Sequence, residues 1–174
     1  MSFSMSQASL PALQIGLNAL SNVLDKAAAF AVVKNIDPSV LLNTRLAPDM
    51  FPLARQVQVA TDLAKNGAAR LAGVEPPRYE DNEITIDELK ARLAKTVAYL
   101  KTLDAKQIDA AGDRQITFPL APPNKGQMKG DDYLNHFVLP NVYFHLTAAY
   151  AILRHCGVEI GKSDFLGAIP MKMI

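Results

Sequence analysis

The sequence predicts an all-α fold, a four-helix bundle forming one domain over residues 1–174, with a small β-hairpin before the last helix. Three observations predict it. Apolar residues recur at steps of three and four in four separate segments, the period that buries one face of a helix. Capping residues stand where those segments begin, and glycine or proline stands where they end. Only "QITFPLAPPNKGQMKG" sets strand-like residues around a Pro/Asn/Gly turn, and two strands alone do not make a core. The composition, 49% hydrophobic and 20% charged, is that of a globule with a substantial apolar interior.

The first helix carries the stripe Leu10, Leu13, Leu17, Leu20 and Leu24 and runs to about Phe30 or beyond, with Pro11 tolerable only near its first turn. The proline-rich connection that follows is long for a simple helix hairpin. It contains "DPSVLL", where Asp37 can cap a single turn that has Pro38 at its first position. A second helix follows from Pro52, places Leu53, Val57, Ala60, Ala64, Gly67 and Leu71 on one face, and stops at Gly73; its small residues allow a neighbouring helix to come close. In "ITIDELKARLAKTVAYLKTL", Thr85 and Glu88 form a capping box, and Leu89, Leu93, Val97 and Leu100 form the inward stripe of the third helix. "DAKQIDAAGDR" reads as a further short helix. The charges of that stretch and of "TIDELKAR" read as solvated helix surface. The last helix is expected to be capped by Asp131 or Asp132 and to run to Gly157. Pro140 in its interior predicts a break after Leu139, with Pro140 opening the straight part.

Charge excludes some functions. Lysine plus arginine number 18 against 17 for aspartate plus glutamate, so no whole-molecule field gathers nucleic acid or an anionic membrane. The N-terminal stretch has no positive region before its apolar residues and no long uninterrupted apolar run, so the expected setting is cytoplasmic. Cys156 is the single cysteine and cannot form an internal disulfide or a multi-thiolate metal site.

The densest grouping of reactive side chains is "PNVYFHLTAAYAILRHCGVEIGK", residues 140–162, with His145, His155, Cys156, Arg154 and two tyrosines. At about 100° and 1.5 Å per residue, His136 and His145 face opposite sides of a straight helix and lie roughly 13 Å apart, with His155 further on, so the three do not converge. His145 shares its face with Val138, Asn141, Ala149 and Ile152 and is expected to point inward, hydrogen-bonded to a carbonyl or to a partner on the second helix. Cys156 closes a helix, where the negative end of the dipole disfavours a thiolate, and reads as structural; Arg154 lies opposite His145. Gly161 and Lys162 lack the rest of a phosphate-loop pattern.

"YLNHFVLPNVYFHLTAAYAILRHCGVEIGKSDFLG" resembles the C-terminal helix of a branch of unknown function within the DinB-like four-helix superfamily, related to the YfiT-type metalloenzymes. "LPALQIGLNAL" and "RLAPDMFPLARQVQVATD" extend the resemblance over nearly the whole chain. It implies a DinB-like bundle. In metal-binding members, one histidine of the second helix joins two histidines four apart on the last, the latter in an H-x-x-x-H-R-G-Q pattern. His145 matches the second of that pair by its spacing to Arg154. Asn141 stands where the partner histidine belongs, Ala148 stands where the glutamine belongs, and the second helix offers Gln56 but no histidine. An amide is a poor ligand beside imidazole. The resemblance therefore implies a degenerate metal site in which His145 is the sole remaining ligand, and no resident cofactor is expected, a divalent metal being disfavoured.

Two functions follow as expectations. The first is a non-catalytic bundle that binds a small molecule or a second copy of itself, as a homodimer, with His145, Asn141 and Gln56 as the polar handles of its pocket. The second is a metal- or thiol-dependent transferase or hydrolase-like enzyme that keeps His145 as base or sole ligand. Neither reading involves nucleic acid or a membrane.

Overall fold

The computed structural model describes residues 4–172; residues 1–3 and 173–174, the ends of the expected domain span, lie outside the described residues. In chain order the elements are α1 (Met5–Lys34), α2 (Pro38–Asn43), α3 (Leu53–Ala72), α4 (Ile86–Thr102), α5 (Ala105–Asp109), β1 (Gln115–Pro119), β2 (Lys125–Lys129) and α6 (Gly130–Asp132). A π-helical segment (Tyr133–Val138) then leads into α7 (Leu139–His155), and α8 (Lys162–Leu166) comes last. The bundle is α1, α3, α4 and α7, as the periodicity predicts. α1 and α3 each pack against both α4 and α7, so the pairs α1/α3 and α4/α7 lie across the diagonals. This explains the long connections: residues 35–52 and 103–138 must cross the bundle, whereas 73–85 joins neighbours.

The predicted stripes form the core. Leu17 and Leu24 of α1, Leu53, Val57 and Leu71 of α3, Leu89 and Leu100 of α4, and Ile152 and Leu153 of α7 are all fully buried. Among the described residues no helix is long and apolar enough to cross a membrane. Thr85 and Glu88 form the expected box: the Glu88 amide donates to Thr85 Oγ1 at 3.2 Å, and the Thr85 amide donates to Glu88 Oε2 at 2.9 Å. Asp37 caps α2, accepting the Ser39 amide at 2.8 Å. Gly67 admits the close approach of α3 to the π-helical segment, since a Cβ there would stand 2.6 Å from a Val138 methyl.

Three local expectations are corrected. α1 begins at Met5, not near Pro11, because Ser4 and Gln7 form a capping box and the Ser6 amide donates to Asp109 Oδ1 at 2.7 Å. Pro11 sits inside the helix on its exposed side, where the carbonyl it leaves free can meet water. The last helical run is not capped by Asp131 or Asp132: Lys129 occupies the cap position, and both aspartates fall in the first turn, where negative charge suits the helix dipole. The charged stretch "TIDELKAR" is not wholly solvated, because Arg92 is only 4% exposed. The linker 73–85 folds back over it and supplies three of its partners, the Glu80 carbonyl and the carboxylates of Asp81 and Glu83.

The hairpin forms as predicted. β1 and β2 are antiparallel, with Ile116 opposite Met128 and Phe118 opposite Gly126, and the buried Ile116 and Phe118 face the bundle. Its end is welded to the last helical run at Gly130, where any Cβ would stand 2.0 Å from the carbonyl oxygen of Ala111.

Candidate functional site

Pro52 ends the extended linker and α3 starts at Leu53, which places Gln56 in the first turn with its side chain 1% exposed in the interior. Gln56 Nε2 donates to the carbonyl of Phe51 at 3.1 Å, and this bond orients the amide so that Oε1 faces α7. There Oε1 lies 2.7 Å from Nδ1 of His145. An amide oxygen only accepts, so His145 Nδ1 carries the proton and donates it, and Nε2 keeps its lone pair. The ring is 8% exposed, with the Phe51 ring stacked at 6.4 Å and the Phe144 ring edge-on at 5.2 Å. Burial, and after it the positive charge of Arg55, push the pKa of His145 below the ordinary imidazole value.

Asn141 takes a different part. The π-helical segment loosens the chain before Pro140, where the Leu139 amide donates five residues back to Leu134. Pro140 is the second residue of α7, so the straight part starts within one position of the expected break. Asn141 Nδ2 donates to the carbonyl of Phe137 at 2.6 Å, so its amide supports the backbone at the break. The structure thus brings Gln56 and His145 together, while the Asn141 amide hydrogen bond turns to its own helix.

The other reactive residues of the last helix stay apart. His136 is exposed beside Asp132 at 3.6 Å, Arg154 and His155 are exposed at the end of α7, and Cys156 is half-buried at its C-terminus. Among the described residues no group of three His, Cys, Asp or Glu side chains comes within reach of one ion. A superfamily-type metal needs three imidazoles. The donors at this place are one imidazole nitrogen, an amide oxygen already engaged with it and an amide engaged with Phe137, a set that does not fit that ion.

His145 has a pH signature. Because its folded pKa is lowered, the native state binds fewer protons than the unfolded chain below pH ~6.5, the unfolded imidazole value. Its contribution is therefore complete above that pH and is lost as pH falls through the folded pKa. Urea denaturation of the wild type is expected to show stability declining as the solution is acidified from neutrality, and His145→Asn should flatten that decline; an unchanged slope in the variant would assign the effect elsewhere.

The polar group that sequence reasoning missed surrounds Arg92. The Nε atom donates to Thr61 Oγ1 at 2.7 Å, Nη1 to Glu83 at 3.0 Å, and Nη2 reaches Asp62 at 2.9 Å and Asp81 at 3.0 Å. A signal was present, since Leu89, Arg92, Leu93, Thr96, Val97 and Leu100 follow one another at alternating steps of three and one, and Arg92 belongs to that inward stripe.

A bundle with diagonal crossovers and a hairpin before its last helix is the class of DinB-like four-helix proteins. A crystal structure of a DinB family member protein from Shewanella denitrificans is 42% identical in sequence, with 97% of this chain and 95% of that one covered and a TM-score of 0.89. The chain belongs to the DUF1993 family, a domain of unknown function, which matches it over residues 5–166. No curated protein matches it. The DinB-like resemblance read from the last helix is borne out by both matches.

Proposed function

We propose that the chain is a binding protein rather than a catalyst: a cytoplasmic DinB-like bundle with a degenerate metal site that self-associates as a homodimer and presents His145 to a small molecule as a neutral hydrogen-bond acceptor. The observation that carries this reading is the pairing of His145 with Gln56. It spends Nδ1 on an amide, holds the ring in one tautomer and leaves a lone pair on Nε2, and among the described residues no group of three His, Cys, Asp or Glu side chains gathers within reach of one ion.

Large apolar side chains lie beside that ring at the surface. Phe144 is 57% exposed and Phe51 48%, and Tyr143 on the same helix leads to the exposed Leu166 and Ile169. Large apolar side chains gathered at the surface are a usual mark of a contact site, and on this reading a second copy covers them. A lone half-buried cysteine asks for no oxidising compartment and suits the cytoplasm.

Sedimentation of untagged protein at micromolar concentration is expected to give a dimer, and Phe144→Lys a monomer with unchanged thermal stability. A wild-type monomer would sink the self-association. Elemental analysis tests the other half: stoichiometric nickel, zinc or iron would overturn the non-catalytic reading in favour of an enzyme built on His145.

A further inference from the structure

A groove of about 200 Å³ runs along the outer face of α3, where the hairpin and the π-helical segment lean against it. Neither His145 nor Gln56 lines it, so the groove is a separate place from that pair. One wall holds Asp62, Asn66 and Arg70 of α3; Phe118, Tyr133 and Phe137 form the aromatic side. Those three rings pack on one another, with centroids 4.4 Å apart for Phe118 and Phe137 and 4.8 Å apart for Phe118 and Tyr133.

Arg70 is the unusual cation of this face. Arg55 is held by Asp81, and Arg92 by three carboxylates. Arg70 forms no ion pair among the described residues and donates only to the hydroxyl of Tyr133, from Nη1 at 3.2 Å. Tyr133 is itself 1% exposed, and burial pushes its pKa up, so the phenol keeps its proton. That proton meets no acceptor among the described residues. A buried donor left unspent costs about 1–3 kcal/mol, a cost that an incoming acceptor would remove. Because guanidinium and phenol touch, one carboxylate can accept from both, in the charge-assisted manner that favours arginine.

The remaining dimensions narrow the ligand. A cavity of about 150 Å³ holds a benzene ring, so this groove has room for one ring bearing a carboxylate. Asn66 lies one turn before Arg70, about 6 Å along α3, and its amide makes no hydrogen bond among the described residues. Asp62 is two turns away, about 12 Å, and its Oδ1 is already neutralised by Arg92 at 2.9 Å and Lys65 at 3.2 Å, so it opposes an anion at Arg70 only weakly.

We propose that this groove binds a monocyclic aromatic carboxylate, its carboxylate on Arg70 and Tyr133, its ring against Phe118 and Phe137, and a ring hydroxyl or amino group at Asn66. The test is a titration of the full chain with para-hydroxybenzoate followed by amide NMR. Saturable shifts are expected at Asn66, Arg70, Phe118, Tyr133 and Phe137. Benzyl alcohol, which lacks the charge, and acetate, which lacks the ring, are expected to bind at least about tenfold more weakly, as are the Arg70→Gln and Tyr133→Phe variants. Absence of saturation at millimolar ligand, shifts centred on His145, equal binding of benzyl alcohol, or affinities indifferent to both variants would each overturn the proposal. The benzyl alcohol comparison uses wild-type protein and decides the matter even where a variant fails to fold.

Discussion

Arg92→Ala is expected to destabilise the protein by about 3 kcal/mol, the low end of the range for removing one partner from a buried ion cluster. The arginine side chain is 2% exposed, but Asp62 and Asp81 retain 28% and 32% of their exposure and can rehydrate in part, which argues against the upper end. Glu83, at 12%, cannot do so as readily. The loss also frees the linker: Nη1 holds the carbonyl of Glu80 at 3.2 Å, and the guanidinium lies 5.1 Å from the Tyr79 ring, which Lys65 and Lys95 approach at 4.0 and 4.4 Å. Thermal melting should fall by roughly 6–12 °C for a chain of this length. Arg92→Lys should lie between the two, because a lysine keeps the charge without the fork that serves Thr61, Glu83 and Asp62 together. A loss below about 1 kcal/mol would mean that hydration of the carboxylates replaces the arginine.

The same cluster shapes the acid limit. Burial alone would raise the pKa of Asp81, but hydrogen bonds and charge from Arg55 and Arg92 outweigh it and hold the carboxyl below its usual value. A carboxylate lowered in this way stabilises the fold above its unfolded pKa, and that stabilisation is lost as pH falls through the folded one. Acid therefore weakens the protein in two stages, first at His145 and then, nearer the carboxylate range, at the linker clamp.

The residues that sequence reasoning placed well are those whose partners are local. Thr85 and Glu88 sit three positions apart and need nothing else to cap a helix, and the stripes of α1, α3, α4 and α7 follow from period alone. The Ser4–Gln7 box is equally local, but the serine-rich stretch before Leu10 has no leucine stripe to draw attention to it. The inward face of His145 was legible; its partner was less so, because Gln56 lies 89 positions away and meets it only once two helices pack. Asn141 shares that face, yet its amide bonds the carbonyl of Phe137 four residues back on its own chain, a side-chain choice that spacing does not encode. Arg92 looked like surface because the linker that covers it has no period, although its own position in the leucine stripe pointed inward.

Phe118→Ala is the second large effect, with an expected loss of about 3–5 kcal/mol from the ring removed and the space it leaves. A two-stranded hairpin is marginal by itself. This one is fastened to the bundle by Ile116 and Phe118, its two buried inward residues on β1. Phe118 also fits over Gly126 of the partner strand, where a Cβ would stand only 2.7 Å from the ring, so its loss loosens the turn as well as the seat. The damage should be uneven. Tyr133 and Phe137 stack on each other at 5.5 Å and lose their common third ring, so hydrogen exchange should quicken across residues 115–138, while the amides of α1 and α4 keep their protection. Phe118→Leu, which keeps much of the volume, should cost clearly less and leave the hairpin seated. Uniform deprotection of all four helices would instead make the hairpin an integral part of the cooperative core. A loss confined to residues 115–138 would mark it as a separately fastened wall, and that wall carries the aromatic side of the groove opposite Arg70.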